Sequence, residues 1–131
     1  MTDKTTVLRV FNTHFFEFID YMLTIVKDDY NILTARNSIE LIKKANPTLI
    51  IKIWYNFIYT KYQYSIDAGD ISFFFEKDYA KDLGKLSNQN EILEIINKLR
   101  EPVRNMSDAN KAKSMKYIQT LSKLSDLYSK F

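Results

Sequence analysis

Residues 44–64, KANPTLIIKIWYNFIYTKYQY, decide the fold. At about 100° per residue, the large apolar side chains of this stretch cover much more than half of a helical wheel. They are Ile50, Ile51, Ile53, Trp54, Tyr55, Phe57, Ile58, Tyr62 and Tyr64. The polar side chains form one narrow stripe, interrupted by Leu49 and Tyr59: Thr48, Lys52, Asn56, Thr60 and Gln63. A helix that is apolar around most of its circumference is normally buried, so the stretch predicts a central helix over residues 47–64.

The composition favours helices around that centre. A chain of 131 residues is long enough to bury roughly two-thirds of the surface that its unfolded form exposes. Its two glycines and two prolines supply few of the turns that a multi-stranded β protein needs. The sequence therefore predicts an all-α protein, a compact bundle of five or six helices around the central hydrophobic helix, in a single domain spanning residues 1–131.

An amphipathic helix opens the chain. It is predicted to begin at Thr5 or Thr6, either of which can cap it, and to end near Val26. Its apolar residues recur at three- and four-residue steps: Leu8, Phe11, Phe15, Phe18, Ile19, Met22 and Val26. The heavily aromatic face indicates that this helix lies flat against the central one.

A second helix follows a loop over residues 27–31, in which Asp29 or Asn31 is placed to cap it. Its apolar side is Ile32, Ala35, Ile39 and Ile42, with Leu41 and Ala45 beside them. Proline disfavours helix for the residue before it and suits the first helical position. We therefore expect Asn46 to end this helix and cap the central one, with Pro47 as the first residue of the central helix.

The C-terminal half is also predicted to consist of helices joined by turns. Clustered glycine and aspartate predict a turn over residues 65–70. Residues 71–75 fit a short strand or the start of a helix, and the helix is favoured because Asp70 is a good cap and a lone strand has no partner. A further helix has to kink or restart at Pro102, and Ser107 is predicted to cap the last helix. The core row of that last helix runs to the final residue: Tyr117, Ile118, Leu121, Leu124, Tyr128 and Phe131.

Side chains for catalysis are scarce. Cysteine is absent and His14 is the one histidine, which excludes a zinc site or a Cys/His nucleophile pair. We therefore expect no enzyme and no cofactor. Oxygen ligands for a cation cluster in one segment: Asp67, Asp70, Glu76, Asp78 and Asp82. Their spacing does not match an EF-hand, so a solvated acidic surface is the preferred interpretation and a metal-dependent enzyme around Asp67 and Asp70 the weaker one.

The sequence predicts neither a membrane-spanning nor a secreted protein. The longest uncharged apolar run, from Ile53 to Thr60, is much shorter than the ~20 residues that cross a bilayer. The first residues lack the apolar core of a signal peptide. We expect a soluble protein of the cytoplasm. Its formal charge of +3 permits contact with nucleic acid without demanding it.

Protein contact is the function that the apolar residues favour. Phe73, Phe74 and Phe75 are consecutive, so they cannot all point into one interior. Exposed aromatic side chains are typical of interaction surfaces, and we predict Phe73, Phe74 and Tyr79 as protein-binding residues. The alternative is a core rich in aromatic rings whose tyrosine hydroxyls reach water.

Nucleic-acid binding is the alternative function. Two groups of basic residues flank the middle of the chain: Lys43, Lys44 and Lys52, and then Arg100, Arg104, Lys111, Lys113 and Lys116. If both groups shared one face, they would meet phosphates and release counterions, with tyrosine rings available to stack on bases. Lysines at such spacings otherwise only keep the surface of a helix hydrated. Arginine, which can bind a phosphate through two parallel hydrogen bonds, is scarce.

Three short segments of the sequence resemble small uncharacterised proteins of large double-stranded DNA viruses of algae and protists. They are Lys44 to Pro47 running into Leu49 to Trp54; Gly69 to Ile71 with Phe73, Phe74 and Lys77 to Tyr79; and Asn105 to Ser107 with Tyr117, Ile118 and Leu121. The resemblance implies a viral origin, which agrees with the AT-rich bias of a chain rich in Lys, Ile and Asn. It implies a virion or minor capsid component, or an infection-stage factor, located in the host cytoplasm or the virion. It carries over no catalytic residue, and the partners it suggests are virion proteins or the chain itself.

Overall fold

The computed structural model describes residues 3–25, 30–72 and 100–131. All regular structure in these ranges is helical, which confirms the all-α prediction. The elements are α1 (Lys4–Ile25), α2 (Tyr30–Ala45), α3 (Leu49–Ile53), a π-helix (Trp54–Tyr59), α4 (Thr60–Asp67), α5 (Arg100–Arg104) and α6 (Asp108–Ser129). The helices pack together as a bundle.

The segment formed by α3, the π-helix and α4 is the centre of the bundle, as predicted. Ile50, Ile51, Ile53, Trp54 and Ile58 are each at most 1% exposed. The segment runs over residues 49–67 and not 47–64, because a turn at residues 47–48 precedes it. The predicted cap was therefore wrong, because Thr48 and not Asn46 is the N-cap residue of α3, and it makes no side-chain capping bond. Asn46 instead closes the turn. The Asn46 side-chain oxygen accepts the N–H of Thr48 at 3.3 Å and the Thr48 hydroxyl at 2.9 Å.

The π-helix changes which residues of the central segment face the core. A π-turn bonds each N–H five residues back instead of four, so residues beyond it are rotated relative to an α-helical wheel. Tyr62 adds a kink, with φ −121° and ψ 24°. Tyr59, which interrupted the polar stripe on the wheel, is accordingly buried. Tyr64, which the wheel placed in the apolar set, is 92% exposed, so that part of the prediction was wrong.

Trp54 joins the three main helices. Its ring meets Phe11 and Phe15 of α1 edge to face, with centroids 6.4 and 6.3 Å away. Its Nε1–H donates to the buried hydroxyl of Ser122 in α6 at 3.0 Å. Small side chains on α6 let the central segment and α1 approach closely: Ser114, Ser122 and Ser125 are all buried. These serines, and not only the large residues of the predicted row, form the inner face of α6.

The ends of α1 and α6 differ partly from the predictions. Asp3, and not Thr5 or Thr6, caps α1, because its carboxylate accepts the N–H of Thr6 at 2.7 Å. Ser107 caps α6 as predicted, accepting the N–H of Asn110 at 3.2 Å. The core row of α6 is confirmed at Ile118 and Leu121, and Tyr117, Leu124 and Tyr128 are half-buried. Phe131 was predicted in that row but is 52% exposed, since α6 ends at Ser129.

Helix α2 packs against α1 through the main residues predicted for its core, but the two residues predicted beside them are not buried. Ile32, Ala35 and Ile39 are buried and Ile42 is half-buried. Leu41 and Ala45, predicted beside them, are exposed. The loop predicted over residues 27–31 was also two residues too long, because α2 begins at Tyr30, and Asn31 lies inside α2 and is not its cap.

The turn predicted over residues 65–70 is present but begins later, at residue 68, because residues 65–67 belong to α4. Helix α4 continues to Asp67, and Gly69 then adopts a left-handed conformation with φ +77°. The Asp70 carboxylate accepts from the N–H and the hydroxyl of Ser72 at 3.1 and 2.6 Å. Pro102 lies within α5. The choice between strand and helix for most of residues 71–75, and the helix predicted before Pro102, lie outside the described residues.

Candidate functional site

The predicted protein-binding residues Phe73, Phe74 and Tyr79 lie outside the described residues, so their role stays a prediction. The same holds for Glu76, Asp78 and Asp82 of the acidic segment. Candidate sites are therefore built from the surface of the helices in the described part of the chain.

Neither His14 nor the described acidic residues form a metal site. His14 Nδ1 lies 3.2 Å from the Glu17 carboxylate at the edge of α1, and the two side chains are 36% and 52% exposed. Asp67 and Asp70 are exposed, and bonds from Ser72 hold the pKa of the Asp70 carboxyl below its usual range. Over residues 3–25, 30–72 and 100–131, no three His, Asp or Glu side chains are grouped to hold a metal ion.

The structure distributes the predicted nucleic-acid-binding residues among separate places. Lys43 lines a groove beside α1, Lys52 lines a groove between the central segment and the end of α6, and Lys113 and Lys116 line a hollow between α1 and α6. Lys44 is exposed near the end of α2. The remaining members of the set are in α5 and the start of α6: Arg100, Arg104 and Lys111.

An exposed apolar face lies on the outer side of α2. Leu33 is 46% exposed and Leu41 is 68% exposed. At about 100° per residue they lie within about 80° of each other around the helix, and Asn37 lies between them. Exposed Lys44 and Ala45 continue this side toward the end of α2. We call the surface of Leu33, Asn37, Leu41 and Lys44 the α2 face.

A side of α2 next to the α2 face, about 60° around the helix from Leu33, is tied to α1 by charge. Arg36 Nε donates to the Asp20 carboxylate of α1 at 2.6 Å, and Arg36 Nη1 donates to Glu40 at 3.0 Å. The hydrogen bond to Asp20 is the main reason why the pKa of the Arg36 guanidinium is raised. The guanidinium also covers the ring of Phe16, with its carbon 5.5 Å from the centroid. These contacts fix how far α2 turns its outer face to solvent.

A mixed groove of about 330 Å³ lies beside the π-helix, and we call it the Tyr55 groove. Its lining residues come from the start of α1, the central segment and the end of α6: Lys4, Ile51, Lys52, Tyr55, Asn56, Ser125, Tyr128, Ser129 and Phe131. Lys4 Nζ lies 4.9 Å from the centroid of the Tyr128 ring. The groove thus places two ammonium groups beside three aromatic side chains.

A second groove, also of about 330 Å³, lies between α1 and the turn that joins α2 to α3, and we call it the Asn12 groove. It is lined by Thr5, Leu8, Arg9, Asn12, Thr13, Lys43 and Pro47. Asn12 is 5% exposed, and its Nδ2 donates to the Pro47 carbonyl at 3.0 Å. Its Oδ1 is buried and has no hydrogen-bond partner among the residues the structure describes.

A smaller hollow of about 220 Å³ holds the last two predicted lysines, and it is lined by His14, Lys113, Lys116, Tyr117 and Thr120. Lys113 Nζ lies 4.6 Å from the centroid of the Tyr21 ring, and the Tyr21 hydroxyl donates to Asn110 at 2.9 Å. Burial raises the pKa of the Tyr21 phenol. Lys113 is thus exposed, with its ammonium group beside the Tyr21 ring of α1.

Two of these features were missed from the sequence. Leu33 had no predicted role, and Leu41 was assigned to the core because helix periodicity alone does not say how wide the buried side of α2 is. Asn12 was not singled out, although the helical wheel places it between Leu8 and Phe16 on the inner side of α1. A polar residue at such a position is the signal that would have found it.

Comparison of the chain with models of protein families, with curated proteins and with solved structures gives no match. Among the described residues, no helix combines the length and apolar character needed to span a bilayer. The function is accordingly inferred from the surfaces themselves.

Proposed function

We propose that this chain is a non-enzymatic helical protein of viral origin that works by binding another protein through the α2 face. The observation that carries the proposal is the exposure of Leu33 and Leu41 on one side of a helix whose other side is buried. The two leucines lie about two turns apart on the same side of α2, and apolar residues that recur on one side of a helix are typical of helices that dock on a partner. The resemblance to viral proteins supports the viral part of the proposal, and a virion protein is one partner it suggests.

The partner that fits the α2 face is an apolar protein surface with an acidic group at one end. Lys44 follows Leu41 by one helical turn and supplies the positive charge. A second copy of the chain is a poorer fit. Glu40 is the carboxylate among the described side chains of α2, and it already forms an ion pair with Arg36. Two α2 faces paired with each other would therefore leave Lys44 without that counterion.

The test is a comparison of the wild-type chain with the double variant L33S/L41S. Leu33 is about half exposed and Leu41 is mostly exposed, so the variant should fold. Binding of a partner that covers both side chains should weaken by on the order of 1.5 to 3 kcal/mol per leucine that becomes fully buried. The matched control is L127S, which removes a leucine that is 40% exposed on α6. We expect proteins captured from infected cells by the wild type and L127S to be lost with L33S/L41S.

Reconstitution and light scattering complete the test. A captured protein, once purified, should bind the wild type and L127S with similar affinity and L33S/L41S at least about tenfold more weakly. Light scattering over a concentration series measures self-association. If the chain self-associates, its partner is a second copy and not a different protein. Equal binding of L33S/L41S and wild type would refute the role of the α2 face. An inventory of proteins in purified virions tests the proposed location.

Single-stranded nucleic acid is the second candidate partner, and the Tyr55 groove is the observation that favours it. Lys52, one of the predicted basic residues, lies there with Lys4 and the rings of Tyr55 and Tyr128. Lysines that meet phosphate beside rings that stack on bases are the usual means of binding single strands. Fluorescence anisotropy with a labelled oligothymidine should then show binding that falls steeply with salt and is weakened in K52A and Y55A. Absence of binding at low salt would eliminate this candidate.

A further inference from the structure

The π-helix adds one residue to the central segment. The Trp54 N–H bonds to the carbonyls of Ile50 and Ile51, within the four-residue reach of an α-turn. The Thr60 N–H instead bonds to the Tyr55 carbonyl, five residues back. A π-turn therefore takes up one residue more than an α-turn, and such turns are rare and occur frequently at functional sites.

The core face of the segment is continuous when that one residue is left out of the count. At about 100° per residue, Tyr59 and Ile66 lie about 140° and about 120° from Trp54 by plain count. With one residue omitted they lie about 40° and about 20° from it, and both are buried. Tyr64 then lies at about 180°, and it is 92% exposed. An α-helix that is one residue shorter would thus present the same core face.

The extra residue falls where the segment borders the Tyr55 groove. Tyr55 and Asn56 of the π-helix line that groove, and the next residue, Phe57, is not among its lining residues. Phe57 is half-buried, and Lys61 Nζ lies 5.6 Å from the centroid of its ring. The Thr60 hydroxyl donates to the Asn56 carbonyl at 2.9 Å on the same stretch of backbone. The irregular turn and the groove therefore share residues.

A π-turn also brings consecutive side chains closer together around the helix axis. In an α-helix Tyr55 and Asn56 would diverge by about 100°. A π-turn spreads one more residue over the same rotation, so the two side chains diverge by about 80°. The smaller angle lets both of them face the groove beside Lys52.

We propose that the extra residue serves the Tyr55 groove and not the fold, because the π-helix holds Tyr55 and Asn56 together against one nucleotide of a bound single strand. The Tyr55 ring stacks on the base, and the Asn56 amide donates to and accepts from the edge of the same base. Irregular backbone of this kind persists at sites where a ligand requires it. The inference rests on the second candidate function, single-stranded nucleic acid, and adds the backbone feature on which that binding depends.

Deletion of Phe57, written ΔPhe57, tests whether the fold needs the extra residue, and F57A is the matched control. The deletion lets the segment close as a continuous α-helix with Trp54, Tyr59 and Ile66 on one face. F57A removes the same ring and keeps the length of the chain. We expect ΔPhe57 to unfold at a higher urea concentration than F57A, with an equal m-value. A lower midpoint for ΔPhe57 would overturn the inference, because the extra residue would then belong to the fold.

A second deletion shows whether tolerance is specific to the π-helix. Asn37 is exposed in the regular helix α2, and its deletion, ΔAsn37, turns the buried Ile39 by about 100° away from the core. We expect ΔAsn37 to unfold at a much lower urea concentration than the wild type. If ΔAsn37 and ΔPhe57 were tolerated equally well, the inference would be overturned, since the central helix would then hold no special surplus residue.

Fluorescence anisotropy with a labelled oligothymidine tests the role in binding. F57A should bind within about twofold of the wild type, because Phe57 does not line the groove. ΔPhe57 should bind at least about fivefold more weakly, because Asn56 turns away from the Tyr55 ring. Equal binding by ΔPhe57 and F57A would overturn the inference and leave the second candidate standing. Absence of binding by the wild type would refute the second candidate and the ligand assigned here, and the urea midpoints would still decide whether the fold needs the extra residue.

Discussion

Replacing Ser122 with alanine removes the acceptor that Trp54 uses inside the core. The Nε1 to Oγ distance is 3.0 Å, and the two residues are 1% and 0% exposed. Alanine has nearly the shape of serine, so the change opens no large cavity. It leaves a buried indole N–H without a partner, which costs about 1 to 3 kcal/mol in free energy of unfolding.

The control and the double-mutant cycle separate this hydrogen bond from other effects of the substitution. S129A removes a serine hydroxyl from the exposed end of the same helix and should change stability by less than about 0.5 kcal/mol. W54F removes the N–H, so S122A should cost about 1 kcal/mol less in the W54F background than in the wild type.

Urea unfolding followed by far-ultraviolet circular dichroism is the appropriate assay, because Trp54 is the one tryptophan and W54F abolishes its fluorescence. The m-value should stay constant across the series, so that shifts in midpoint report stability. If S122A is as stable as the wild type, or costs the same in the W54F background, the hydrogen bond does not hold α6 to the centre as described.

Three further predictions concern the helix ends and the contact between α1 and α2. The pKa of Asp3 is lowered mainly by the hydrogen bond from the Thr6 N–H. The ionised carboxylate therefore stabilises the fold above the ordinary aspartate pKa of 3.8, and this stabilisation is lost as the pH falls through the lower folded pKa. The difference in thermal midpoint between the wild type and D3A should shrink over the same fall in pH. G69A should destabilise by about 1 to 2 kcal/mol in urea, because the strain comes from φ +77° and not from crowding, and G69N should cost less. R36A, which breaks partly solvated pairs to Asp20 and Glu40, should cost about 1 kcal/mol, and less in high salt.

Local chemistry accounts for the features that the sequence predicted well. The long apolar row of α1 needs only an unbroken helical period, and Phe11, Phe15 and Phe18 are buried as that period requires. Ser107 acts through the backbone N–H three residues away, so its role as a cap was also predictable. Asn46 accepts from the N–H of Thr48 but does not cap α3, because a turn separates it from the helix. The cap of α1 is Asp3 and not Thr5 or Thr6. The sequence did not distinguish them, because all three are suitable capping residues and lie close together.

Features that depend on distant residues or on an irregular turn were not predictable. The π-helix rotates the second half of the central segment, so Tyr59 is buried and Tyr64 is exposed against the expectation of a single wheel. Asn12 is buried because its partner is the Pro47 carbonyl, 35 residues away. Likewise, whether Lys52 and Lys113 share a surface depends on how α6 packs on the centre, which no local pattern specifies.

The α2 face and the Asn12 groove lie on different sides of one helix. Lys43, which lines the groove, and Leu41 are two positions apart, which at about 100° per residue places their side chains on nearly opposite sides of α2. A partner bound to the α2 face therefore does not need to contact Lys43, and K43A should bind that partner as the wild type does. Loss of the partner in K43A as well as in L33S/L41S would show that the contact surface extends around α2 beyond the α2 face.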